Sequence, residues 1–205
     1  MVDRLAGPAL VVVDMQNDFV RVGAPLEVPQ ARETIPVHRE LIGFCREKGI
    51  PILYTKFLAG PEPTLIWEWS PVLAPPVCCC WKGHRRYYED VKKELDGSDI
   101  IEEIYPESGD PAVEKFGYGA FHNTTLEDLL KARHVESVFV TGTVTQICVE
   151  ETAREAFHRG FKTTLVSDAV SSYMEDLHLA TIKNFALKFG WVSTAQELMD
   201  ALSTR

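Results

Sequence analysis

Residues Ala9 to Val13 (ALVVV) form an unbroken apolar run that ends at Asp14. A strand with one wet face would alternate apolar and polar residues. A continuous β-branched run of this length belongs to a strand covered on both faces, as in the centre of a parallel sheet. Further strand-like runs fall at 50–57, 99–104, 111–116, 135–141 and 161–167, with a last one near 190–193. Helical patterns lie between them near 30–48, 84–95, 124–132, 147–159 and 175–188, and a short helix follows from 194. This alternation predicts an α/β fold: a three-layer α/β/α, Rossmann-like arrangement whose parallel six-stranded sheet carries helices on both faces. With 205 residues, 45% of them hydrophobic, the chain is expected to form a single domain over 1–205 with a full core.

Several function classes are disfavoured. No glycine-rich dinucleotide or P-loop run follows any strand, so neither standard phosphate loop is expected. The formal charge of −9 argues against nucleic acid and anionic membrane as partners. Five cysteines in no framework point to a reducing compartment, and the short apolar run near the start lacks a signal-peptide pattern. A cytoplasmic protein is expected. The six histidines, at 38, 84, 122, 134, 158 and 178, lack the close spacing of a zinc site, so no metal and no cofactor are expected.

Three residues stand at informative places. Cys148, in Thr141-Gly-Thr-Val-Thr-Gln-Ile-Cys148, lies where the run Val135–Val140 gives way to a helix marked by Val149, Ala153, Ala156 and Phe157. Pairs four apart, Glu150/Arg154 and Glu155/Arg159, support that helix, and Gly160 closes it. With Thr145 as N-cap, Cys148 would sit in the first turn, where backbone N–H groups and the helix dipole favour a thiolate. The plainer reading is a small buried side chain. Asp14 would stand at the carboxyl edge of the sheet, where ligands of doubly wound sheets bind, or it orders a loop. Lys115, in Glu-Lys115-Phe-Gly-Tyr-Gly-Ala-Phe121, is carried by a short strand into a glycine-punctuated turn, and a lone lysine there is ordinarily surface.

Taken together, VVVDMQNDF, EKFGYGAF and TGTVTQICVEETAREA resemble the Asp-Lys-Cys motifs of the isochorismatase-like cysteine hydrolases. That superfamily includes nicotinamidases, N-carbamoylsarcosine, ureidoacrylate and biuret amidohydrolases, and the true isochorismatases. The resemblance implies Asp14 as base, Lys115 as electrostatic partner and Cys148 as nucleophile. It also implies a cis peptide between Thr143 and Val144, an oxyanion hole formed by the backbone N–H groups of Val144 and Cys148, and a homo-oligomer, dimer or tetramer. Nicotinamidases carry a metal-binding Asp-x-His where this chain reads Tyr54-Thr-Lys-Phe-Leu-Ala-Gly60, and true isochorismatases commonly lack the cysteine. The implied activity is therefore metal-independent hydrolysis of a small amide, carbamoyl or ureido substrate through a thioester. Vinyl-ether hydrolysis, or binding without turnover on the same fold, are the alternatives.

Substrate choice is expected to lie in the proline- and tryptophan-rich segment Leu58–Gly83, read as an ordered insertion that walls the pocket, packs on a partner subunit, or does both. Pocket candidates are Phe19, Trp67, Trp69, Tyr118 and Gln146. His122 and the stretch Ser167–Tyr173 are further polar candidates, with surface capping and loop ordering by Asp168 as the plainer readings. Cys78, Cys79 and Cys80 read as buried or incidental thiols and Cys45 as core. Lys82, Arg85 and Arg86, interleaved with Trp81, Tyr87 and Tyr88, read as a solvated helix start or as a carboxylate-recognition cluster.

Overall fold

The computed structural model describes residues 3–62 and 77–204. Six strands, β1 (Pro8–Val13), β2 (Ile52–Phe57), β5 (Ala112–Lys115), β6 (Ser137–Thr143), β7 (Lys162–Ser171) and β8 (Trp191–Ser193), form one sheet in the order β5-β2-β1-β6-β7-β8. Every pairing in it is parallel. Among the described residues the helices are α1 (Asn17–Val20), α2 (Pro29–Glu33), α3 (Ile35–Glu47), α4 (Leu126–Ala132), α5 (Glu150–His158), α6 (Glu175–Lys188) and α7 (Ala195–Ser203). None is long and apolar enough to cross a membrane.

The two-residue period of a strand divides the core. Leu10 and Val12 of β1 join Phe139 and the apolar sides of α3 and α7, including Leu41, Cys45, Leu198 and Leu202. Ala9, Val11 and Val13 point the other way, into a cluster with Val138, Val140, Leu126, Leu130, Ala153, Ala156 and Phe185 from α4, α5 and α6. Both faces of the central strand are thus covered, which is why its sequence is uninterrupted. This is the expected three-layer α/β/α arrangement.

Four local expectations are corrected. Residues 84–95 form a hairpin, not a helix: β3 (Arg85–Tyr88) pairs antiparallel with β4 (Lys93–Asp96). Its turn puts Lys92 at φ 52°, and Tyr88 is drawn inward to donate to Asp18 Oδ1 at 2.6 Å. The 99–104 run is no sheet strand; it makes a single isolated antiparallel bridge, Ile100 to Gln16, ends in a 3-10 turn, Glu102–Ile104, and buries Ile100, Ile101 and Ile104. Helix 30–48 breaks at Thr34, because Pro36 has no N–H to continue the ladder. The residues after β6 form a π-helical turn, Thr145–Val149, with Val144 at its N-cap position. Thr145 does not cap; its Oγ1 lies 2.9 Å from Nδ1 of His178.

Gly142 is a position only glycine can fill. Its φ is 111°, and a Cβ there would overlap the Val13 carbonyl. Strand β6 therefore presses its end directly against the end of β1. Gly142→Ala combines a disfavoured backbone with overpacking and should cost about 3 kcal/mol in urea unfolding.

His38 of α3 is fully buried. Its Nδ1 lies 2.9 Å from the Thr34 carbonyl, and Nε2 has no partner. Burial pushes its pKa down from 6.5 to about 4, against the opposing effects of Thr34 and Asp168. A depressed folded-state pKa gives stability that is complete above pH 6.5 and is lost as pH falls towards 4. The loss should reach about 3 kcal/mol over that window. Unfolding measured against pH for wild type and His38→Gln checks this: the variant should lack the slope.

Candidate active site

The strand order reverses direction between β1 and β6, so a crevice opens at their carboxyl ends, where doubly wound sheets place ligands. Asp14 is the first residue beyond β1 and adopts φ 49°, a left-handed conformation that aspartate tolerates better than most residues. Its carbonyl accepts the Gln16 N–H at 2.8 Å, so the chain turns sharply there. Gln16 then fastens the turn to its surroundings. Its Nε2 donates to the Phe57 and Ser98 carbonyls at 2.9 and 2.7 Å, and its Oε1 accepts the Phe57 N–H at 2.8 Å.

Lys115 ends β5, two strands from β1, and stands opposite Phe57 in the register. Neighbouring strands are about 4.8 Å apart, so only a long side chain can cross β2 to reach the end of β1. Lys115 does so over the Phe57 ring, with Nζ 5.1 Å from the ring centroid. Its ammonium meets Asp14 Oδ2 at 2.7 Å, and both side chains are fully buried. It also donates to the carbonyls of Gly117 and Tyr118 at 3.0 and 2.8 Å. The other Asp14 oxygen, Oδ1, accepts from Thr55 Oγ1 at 2.5 Å, and Thr55 Oγ1 in turn accepts the Asp14 N–H at 3.2 Å.

Cys148 lies in the π-helical turn after β6, only 4% exposed, and interacts with both Asp14 and Lys115. The peptide between Thr143 and Val144 is cis. The turn is held from behind by Thr143 Oγ1 donating to the Ser171 carbonyl at 3.3 Å and by the Thr145–His178 contact.

The electrostatics correct one expectation. Burial pushes the Cys148 thiol up, Lys115 partly offsets this, and Asp14 adds to the rise. Burial opposes the Lys115 charge, but Asp14 and Cys148 outweigh it and its pKa is raised. Ionising the sulfur would add a further charge to a fully buried site, which desolvation disfavours. The direction runs against the thiolate expected from a helix N-terminus: burial favours the protonated sulfur.

The named pocket residues separate. Phe19 is buried, with its ring centroid 6.4 Å from that of Phe57, and Tyr118 stacks on Phe57 at 6.0 Å. Gln146 buries both side-chain amide atoms without a hydrogen-bond partner. Trp67 and Trp69 lie outside the described residues. His122 is exposed and contacts Asn123. Asp168 does not order a loop: β7 runs on to Ser171, and the Asp168 side chain accepts the N–H of Ala195, the first residue of α7, at 2.8 Å. Thr55 and Phe57 escaped sequence reasoning. A signal for Thr55 was present, since it is a hydroxyl in the otherwise apolar strand start ILYT.

The basic cluster is engaged within the protein, and its arginines lie on a hairpin rather than at a helix start. Arg86 Nε pairs with Asp18 at 2.9 Å, and Lys82 with Glu114 at 2.6 Å. Asp18, Cys79 and Cys80 bring a carboxylate oxygen and two sulfurs within 4.8 Å of one another, all buried. Asp18 is already engaged by Tyr88, Arg86 and the Cys80 N–H at 2.6 Å, and burial raises its pKa despite those partners. This carboxylate is the keystone of a hydrogen-bonded knot and is poorly suited to a metal. Nor does the end of β2 fit the nicotinamidase metal: where Asp-x-His would stand, Phe57 packs against Phe19 and Tyr118 and Ala59 is in the core.

Comparison with known proteins agrees with this geometry. The isochorismatase domain model matches residues 8–197. Nicotinamidase 3 of Arabidopsis thaliana is 33% identical over 202 residues, covering 95% of this chain and 88% of its own. Ureidoacrylate amidohydrolase RutB of Methylobacterium radiotolerans is 31% identical over 212 residues, covering 94% and 78%. The crystal structure of N-carbamoylsarcosine amidase from Thermoplasma acidophilum matches with a TM-score of 0.75 at 30% identity, covering 92% of this chain and 96% of that one. With the sheet order, the motifs and these matches in agreement, the chain belongs to the isochorismatase family.

Proposed function

We propose that this protein is a cysteine hydrolase that cleaves a non-peptide C–N bond of a small amide, carbamoyl or ureido compound through a thioester. The observation that carries the reading is the fully buried Asp14–Lys115 pair at 2.7 Å with the Cys148 thiol against both. A binding protein has no need of a charged pair whose burial is costly. The relatives named above, an amidohydrolase, an amidase and a nicotinamidase, support the same class of bond.

In this mechanism Asp14 takes the Cys148 proton as sulfur attacks the carbonyl carbon, and Lys115 compensates the charge that forms near sulfur. The backbone N–H groups of Val144 and Cys148 donate to the tetrahedral oxyanion. The intermediate collapses to a thioester as the leaving nitrogen accepts the proton from Asp14. Asp14 then deprotonates a water molecule that attacks the thioester, and the proton returns to sulfur as the acid leaves. Phe19, Tyr118 and Gln146 line the substrate side in this proposal, and Thr55 holds Asp14 in orientation. The absence of metal-ligand side chains at the end of β2 favours ureido and carbamoyl substrates over nicotinamide. A dimer or tetramer belongs to the same proposal; Tyr173, Met174, Leu177 and Leu179 leave an exposed apolar stretch that an assembly would cover.

Ammonia release from ureidoacrylate, N-carbamoyl amino acids and nicotinamide tests the reading. Cys148→Ala should abolish turnover of whichever substrate is cleaved, and Asp14→Asn should lower kcat by about 10²–10⁴-fold. Turnover that survives Cys148→Ala but not Asp14→Asn would instead support non-covalent, vinyl-ether-type chemistry. Thr55→Val keeps the shape of the side chain and removes the donor to Asp14. It should lower kcat about 10-fold, the size of one lost hydrogen bond to a charged group, with little change in KM.

A further inference from the structure

We propose that Thr152 and Glu155 are positioning residues for Lys115, clamping the loop that holds its ammonium onto the helix that continues from the Cys148 turn. The inference rests on the cysteine-hydrolase reading above and deepens it. An ammonium has three protons, and the Lys115 Nζ faces three acceptors: Asp14 Oδ2 and the carbonyls of Gly117 and Tyr118. Two of the three belong to an irregular loop with glycines at 117 and 119. Nothing in the loop's own backbone fixes those carbonyls.

Helix α5 supplies what the loop lacks. The Ala120 N–H donates to Thr152 Oγ1 at 3.2 Å, and the Phe121 N–H donates to Glu155 Oε2 at 2.8 Å. Thr124 Oγ1 closes the loop on itself by donating to the Ala120 carbonyl at 2.5 Å. Thr152 is fully buried. The loop lies directly on the Glu155 carboxylate, since a Cβ at Gly119 would overlap it. Glu155 does not spend its charge on Arg159 four residues on; the Arg159 Nε pairs with Glu127 at 3.0 Å.

The spacing explains why these two residues are suited to the task. Positions 148, 152 and 155 are related as i, i+4 and i+7 and so lie along one side of the helical path. The same side that presents the sulfur also grips the loop two and three residues after Tyr118. The distance between sulfur and ammonium is thereby set by one rigid element rather than by a free lysine side chain. If the loop shifts, the ammonium loses two of its acceptors and no longer compensates the charge formed on sulfur.

Iodoacetamide alkylation of Cys148, followed by peptide mapping from pH 6 to 9, tests this without knowledge of the substrate. Wild type should react at a rate nearly independent of pH, because Asp14 is an internal base. Lys115→Ala should be slower and rise with pH, as hydroxide takes over. Glu155→Ala and Thr152→Val should move towards the Lys115→Ala profile and lose about 10-fold in rate at pH 7, equivalent to one pKa unit of lost thiolate stabilisation. Glu155→Gln and Thr152→Ser keep an acceptor oxygen and should stay within about threefold of wild type, equivalent to less than half a pKa unit. A purely structural role would lower the unfolding midpoint and leave the pH profile unchanged, which overturns the clamp. Equal losses in Glu155→Gln and Glu155→Ala would make charge the cause and overturn it as well. If wild type matches Lys115→Ala, the cysteine-hydrolase reading itself fails and the clamp falls with it.

Discussion

A carboxylate and an ammonium that are both fully buried cannot exist without each other. Desolvation of either alone costs several kcal/mol, and breaking such a pair typically costs about 3–5 kcal/mol. Asp14 and Lys115 meet at 2.7 Å in the interior, and much of the local architecture can be understood as what that meeting requires. Asp14 must leave β1 in a left-handed turn to face the crevice. Lys115 must cross the whole width of β2, over an aromatic ring that tolerates its charge. Thr55 and two loop carbonyls must saturate the remaining hydrogen-bonding capacity.

The cost of that arrangement is met by the surrounding packing. Two apolar layers enclose the sheet, one on each face of β1, and Gly142 lets β6 approach closely enough to bring the Cys148 turn beside Asp14. Gln16 ties the ends of β1 and β2 together with two hydrogen bonds to Phe57 and adds a third to the Ser98 carbonyl. On the other side of the crevice, Asp18, Arg86 and Tyr88 fix the hairpin against α1. The site is thus held by contacts from several elements, and in the proposed reaction one proton moves between sulfur and carboxylate. Burial, which pushes the Cys148 thiol up, accords with that proposal.

Much of this was legible in the sequence, in a particular way. The apolar run before Asp14, the β-branched run before the Cys148 turn and the short strand before Lys115 each gave a strand and the side chain at its end, because strand identity and strand ends are local properties. The hairpin at 85–96 was misread because Tyr87 and Tyr88 look apolar in either period, and only the buried Asp18 decides which of them turns inward. Thr145 was misread as a cap because its partner, His178, is 33 residues away. The direction of the Cys148 pKa shift runs against the expectation because a helix N-terminus is visible in sequence and desolvation is not.

The sequence alone determined the α/β/α layering, the two covered faces of the central strand and the three residue types at the carboxyl edge, since hydrophobic periodicity and turn chemistry act over a few residues, whereas the fold decided that the 99–104 run stays out of the sheet. It also determined the family, through motifs at those strand ends. Only the tertiary structure decided that Lys115 reaches Asp14 across a strand it is not adjacent to, that Thr55 and Phe57 complete the site, and that Thr152 and Glu155 hold the loop beneath the ammonium. Those contacts join residues from about 30 to 100 positions apart, and their strength comes from the exclusion of water, a property of the assembled fold and of no single segment.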